Sequence, residues 1–141
     1  IVTDTQMAFS GVNKRVLEKF GGKAVCFMSD PDVAAEAKER GETRATVSME
    51  RAAQLEGPLV LAIGNAPTAL VRACELIKEG KMAPALVIGV PVGFVNVVES
   101  KELLLTMDVP HIVARGRKGG SNIAAAICNA LLYQASNNIR E

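Results

Sequence analysis

Arg115-Gly116-Arg117-Lys118-Gly119-Gly120 stands directly ahead of Ser121-Asn122 and a long apolar stretch. Cationic side chains, exposed peptide N–H groups and the positive end of a helix dipole each favour an anion, and here they would converge. The glycine spacing is neither that of a Walker A loop nor G-x-G-x-x-G, and Lys118 is not followed by Ser or Thr. The anion can therefore be a carboxylate as readily as a phosphate; a merely solvated basic loop is the plain alternative. Gly89-Val90-Pro91-Val92-Gly93-Phe94-Val95 is unusually apolar for a connection. It suits the flank of a flat hydrophobic ligand, a subunit contact, or packing over the end of a sheet. In Gly64-Asn65-Ala66-Pro67-Thr68, Gly64 can turn, Asn65 can donate and accept, and the helix that follows would present free N–H groups. A capped turn explains the same residues. Arg44, after Thr43, could fork onto a carboxylate or pair at the surface. Asp4, followed by Thr5, could cap the next helix or orient a ligand.

Composition narrows the chemistry. The 141 residues carry 16 Lys and Arg against 15 Asp and Glu, a net charge of +1, so no polyanion is held by bulk charge and no nucleic-acid partner is expected. Aromatic residues are 4% with no Trp, which argues against base-stacking platforms. No apolar run reaches the length of a membrane span. Cys26, Cys74 and Cys128 are far apart, odd in number and outside any C-x-x-C spacing, so three reduced, buried thiols are expected. With a single His and no Cys pair, no metal site is expected.

These candidates need elements to position them. Nearly continuous apolar runs at 1–3, 24–28, 59–63, 85–88 and 112–114 read as parallel strands covered on both faces. Helical signals lie between them. Asp30-Pro31 opens a helix that Gly41 stops; Ser48 opens a segment to Leu55; Pro67 begins a helix with the stripe Leu70, Cys74 and Ile77. A further helix fits 97–106, and Ser121 caps a last one with Ile123, Ile127, Ala130 and Leu131 inward. The alternation predicts one α/β domain over 1–141: a three-layer α/β/α sandwich on a mainly parallel five-stranded sheet, flavodoxin-like in type. Ligands of such sheets bind outside the carboxyl ends of the strands. The loops above fall at that edge, whereas His111 falls at the amino end of its strand and reads as structural. Residue 1 lies within a strand pattern, so an upstream segment is expected.

Several strings go further. Asp4-Thr5-Gln6-Met7 with Gly11, Thr43-Arg44, GNAPTAL at 64–70, GVPVGFV at 89–95, Glu99-Ser100-Lys101 and RGRKGGSNIAAAICNAL at 115–131 together resemble the precorrin-8X and cobalt-precorrin-8 methylmutase family. The resemblance spans essentially the whole chain. It implies a cytoplasmic, homodimeric isomerase of cobalamin biosynthesis. Such an enzyme shifts a methyl group between adjacent carbons at ring C of a tetrapyrrole and yields hydrogenobyrinate or its cobalt form. It implies no metal or organic cofactor; cobalt, if present, belongs to the substrate. On this resemblance the substrate contacts are expected at Asp4, Thr5, Arg44, Asn65, Gly93, Phe94, Arg115, Arg117, Lys118 and Ser121. The apolar loop would meet the macrocycle, and the cations its carboxylate rim. The family's catalytic histidine, thought to protonate the macrocycle, lies upstream of the strand that begins this chain. No catalytic residue is therefore expected within 1–141, and a corrinoid-binding core without catalysis is the alternative. A receiver or flavin domain fits less well, because no acidic cluster beyond Asp4 marks the strand ends and aromatics are few.

Overall fold

The apolar runs form five short strands: β1 (Val2–Thr3), β2 (Val25–Cys26), β3 (Val60–Ile63), β4 (Leu86–Gly89) and β5 (His111–Val113). They are seen in a computed structural model that describes residues 1–137. All pairings are parallel, in the order β2-β1-β3-β4-β5. The alternation within β3 explains why its sequence is apolar throughout. Leu61 and Ile63 pack into the core on one face, and Ala62 into the core on the other.

Seven helices cover the sheet among the described residues: α1 (Gln6–Gly11), α2 (Lys14–Lys19), α3 (Pro31–Arg40), α4 (Arg44–Ala52), α5 (Pro67–Lys78), α6 (Val97–Leu105) and α7 (Ser121–Ala135). Ala8, Val16, Cys128 and Leu132 place α1, α2 and α7 on one face. Met49, Leu70 and Leu104 place α4, α5 and α6 on the other, and α3 packs on α4 through Val33, Ala37 and Val47. This is the expected three-layer sandwich. The chain leaves β1 toward β2 and returns to β3 on its other side, so the order reverses between β1 and β3. In doubly wound sheets that reversal opens a crevice at the carboxyl edge.

Two details of the sequence reading are corrected. The fourth helix opens at Arg44 rather than Ser48: Thr43 Oγ1 accepts from the Thr46 N–H at 3.1 Å, and Ser48 is buried in mid-helix. Thr43 supplies the N-cap geometry that a Ser inside the buried stripe cannot. In α7 the inward face is Ala124, Ala125, Cys128 and Leu132, with Ile127 partly buried, while Ile123, Ala130 and Leu131 are exposed. The helix is apolar on nearly every side, so hydrophobic period does not choose its face. Small residues do, because they permit close approach: a Cβ on Gly11 would lie 2.7 Å from the Ala125 Cβ.

Candidate functional site

The carboxyl-edge loops are tied to one another, beginning at the β1/β3 reversal. Asp4, just beyond β1, is fully buried and accepts from the N–H groups of Gly64 (2.9 Å), Asn65 (2.9 Å) and Ala66 (2.7 Å). Ala66 is the N-cap of α5 but has no side chain able to cap, and Pro67 has no N–H. The carboxylate from the neighbouring strand takes the place of a local cap and sits at the positive end of the α5 dipole. Burial pushes the Asp4 carboxyl up from the usual carboxylate range, and the three peptide donors pull it back. Asp4 therefore occupies the N–H groups of the turn itself, those of Gly64, Asn65 and Ala66. Asn65 keeps an exposed side chain with no bond among the described residues.

Thr5 caps α1, accepting from Ala8 N–H at 3.1 Å, and its hydroxyl lies 2.7 Å from Ser121 Oγ. Ser121 was expected to cap α7; instead Gly120 occupies the N-cap position at φ 132°, and Ser121 is the first helical residue. The β5–α7 connection also touches the other loops by backbone. Gly120 N–H donates to Val90 O (2.9 Å) and Gly93 N–H to Arg117 O (3.2 Å). A side chain at Gly119 would overlap the Val90 carbonyl oxygen, and one at Gly64 would come within 2.7 Å of Gly120 O. Both glycines are required by close approach of backbones.

The cations of this edge differ in their partners. Arg115 forks onto Glu102 (Nη2–Oε1 2.8 Å, Nε–Oε2 3.1 Å), so its charge is already matched. Hydrogen bonding to Arg115 holds the Glu102 carboxyl below its ordinary range. The Arg117 guanidinium lies over the Phe94 ring, 5.4 Å from its centroid, and makes no ion pair among the described residues. Lys118 and Arg44 are exposed and likewise without an ion pair among the described residues. Because a helix entering β3 runs antiparallel to the strands, the start of α4 places Arg44 at the carboxyl edge. Phe94 is 80% exposed and Val95 77%, with Gly93 at φ 129° turning the chain between them and Val92.

Lys101 on α6 was not among the expected contacts. It is fully buried, and its ammonium donates to the carbonyls of Ala114 (2.6 Å), Gly116 (2.7 Å) and Lys118 (2.8 Å). A signal was present in the sequence. Lys101 shares the stripe Val97, Lys101, Leu104, where a charged residue on an inward helix face needs buried partners. His111, the single histidine, opens β5 at the amino edge, and its Nδ1 lies 2.8 Å from Val109 O. Among the described residues no cluster of His, Cys, Asp and Glu is arranged to hold a metal. The thiols are free: Cys74 and Cys128 are buried and pushed up to about 11 by burial, and Cys26 is partly exposed. No helix among the described residues is long and apolar enough to cross a membrane.

Fold and edge together define a doubly wound α/β protein of flavodoxin-like strand order. Its carboxyl edge presents unpaired cations beside an exposed aromatic ring. A sequence model of precorrin-8X methylmutase matches residues 1–134, and the chain belongs to that family. It is 48% identical over 139 residues to the cobalt-precorrin-8 methylmutase of Priestia megaterium, covering 99% of this chain and 62% of that protein. It is 50% identical over 134 residues to the cobalt-precorrin-8 methylmutase of Salmonella typhimurium, covering 94% of this chain and again 62% of the relative. The crystal structure of the precorrin-8X methylmutase of Thermus thermophilus superposes with a TM-score of 0.86 at 40% identity, covering 99% of this chain and 68% of that one. The chain thus spans about 62% of the length of the curated relatives it matches.

Proposed function

We propose that this chain holds a carboxylate-rimmed corrinoid for the methyl shift of a precorrin-8 methylmutase, an isomerisation of cobalamin biosynthesis. The observation that carries the reading is the Arg117 guanidinium on the face of the exposed Phe94 ring. The pair offers an apolar plane and a cation at its rim, which matches a flat macrocycle with peripheral acids. Arg44 and Lys118 supply further cations for such acids, and Asn65 a neutral donor and acceptor. Asp4, Thr5 and Ser121 serve the same ligand by holding the loops in register. Arg115 reaches a substrate acid only by leaving Glu102.

The reaction moves a methyl group within one molecule, so atoms balance without a co-reactant. What it asks of these residues is to bind and orient the ring. His111 faces the opposite edge and is not placed to donate a proton to that ring. The reading extends to a homodimer in the cytoplasm. Met7 (70% exposed) and Val95 are apolar side chains suited to burial in a subunit contact, and a reducing compartment suits the three free thiols. Titration with cobyrinic acid and with its heptamethyl ester, followed by corrin absorbance, tests it. The acid should bind at least tenfold more tightly than the ester, since hydrogen bonds to charged groups contribute about 1.5–3 kcal/mol. Equal affinity for both, or no binding of the acid, would refute the reading.

A further inference from the structure

We propose that Lys101 is the positioning residue of the anion-binding loop; this rests on the corrinoid-holding reading above. The Lys101 ammonium gathers three alternate carbonyls, those of Ala114, Gly116 and Lys118, at 2.6–2.8 Å. No peptide bond among the described residues is cis. In a trans peptide the C=O and the following N–H point in opposite directions. Anchoring these oxygens on one interior point therefore turns the N–H groups of Arg115, Arg117 and Gly119 away from it. None of those N–H groups donates to another described residue. The loop becomes a short arc with oxygens inward and donors outward, and outward is where an anion would sit.

The charge matters as well as the donors. Lys101 has no carboxylate partner among the described residues. Its three acceptors are neutral, so its positive charge lies uncancelled behind the loop and adds to those of Arg117 and Lys118. A lysine whose only task was to fill the core would be replaceable by an apolar side chain of similar length at little consequence for the ligand. A positioning lysine would not be.

The test begins with the unaltered chain, its lysines labelled with nitrogen-15. The triply bonded Lys101 ammonium should give a slowly exchanging resonance at neutral pH; absence of such a signal would overturn the clamp. Lys101→Met should bind cobyrinic acid about tenfold or more weakly, since hydrogen bonds to charged groups are lost. Amide exchange at Gly93 and Gly120, whose N–H groups tie the loop through Arg117 O and Val90 O, should quicken while β3 and β4 are unchanged, and Lys101→Arg should recover part of the affinity. A Lys101→Met variant that is less heat-stable yet binds like the parent, with unchanged loop exchange, would show a core residue only. If Lys101→Met does not fold, the ammonium resonance of the unaltered chain and the loop exchange of Lys101→Arg decide, and a folded Arg variant whose loop exchange quickens while its affinity is unchanged overturns the proposal. If the unaltered chain ignores cobyrinic acid, the functional reading fails, while resonance and loop exchange still judge the clamp.

Discussion

Two regions of this molecule are rich in arginine, and they use it in opposite ways. Across α3, α4 and α5, Arg40 meets Glu36 and Glu50, Arg51 meets Asp32 and Glu36, and Arg72 meets Glu50 and Glu75. Each of these three arginines has a carboxylate, and hydrogen bonding to the partners holds Asp32, Glu36 and Glu50 below their ordinary range. Among the described residues at the carboxyl edge, only Arg115 has a carboxylate partner; Arg117 rests on an aromatic ring, and Arg44 and Lys118 are exposed without one. A tally of charges does not separate the two regions. What separates them is whether the charge has been answered inside the protein. The paired lattice joins helices, and the unpaired edge remains free to meet a ligand's acids.

The contrast can be broken most severely at its hinge. Asp4→Ala leaves three peptide donors of the 64–66 turn without their acceptor and α5 without its cap. It should destabilise the protein by about 3 kcal/mol or more, a fall of roughly 10 °C in melting temperature, read by calorimetry. A loss under about 1 kcal/mol would show that water replaces the carboxylate freely. Next come Arg117→Ala and Arg44→Ala. Each should weaken cobyrinic acid about 10–100-fold at low salt with stability unchanged. The loss should shrink as salt rises, because ions screen exposed charges within about 10 Å.

Smaller effects belong to the lattice. Arg72→Ala should lower the melting temperature by about 3 °C and leave corrinoid affinity as it was; an affinity loss like that of Arg117→Ala would erase the distinction between the regions. Native alkylation should be smaller still. At pH 8 Cys74 and Cys128, pushed up to about 11, stay protonated thiols, so iodoacetamide should reach the partly exposed Cys26 first, by peptide mass mapping. Least of all, His111→Ala should change affinity by less than about twofold, since its strand end lies opposite the edge where ligands gather.

The layers of this fold were legible because inner strands buried on both faces leave unbroken apolar runs. The β5–α7 loop was legible because its cations and glycines are contiguous. Contacts between distant segments were not. Asp4 meets Gly64 from 60 residues away, and nothing in the local sequence of the 64–66 turn shows that a distant carboxylate takes its N–H groups. Arg115 finds Glu102 across 13 residues, and nothing in the spelling of either segment announces the pair. Lys101 stands between Glu99 and Glu102 in the chain, and its place in the stripe Val97, Lys101, Leu104 is what sets it apart from them. The inward side of α7 was obscured for the opposite reason, an excess of apolar choices.

The most direct measurement sets the two arginine regions against each other in one titration. The unaltered chain, Arg117→Ala and Arg72→Ala are each titrated with cobyrinic acid at low and at high salt, with the bound corrin followed by absorbance. The account predicts that Arg72→Ala matches the unaltered chain at both salts. It predicts that Arg117→Ala binds about 10–100-fold more weakly at low salt, with the gap narrowing at high salt. Parent-like binding by Arg117→Ala at both salts would contradict it.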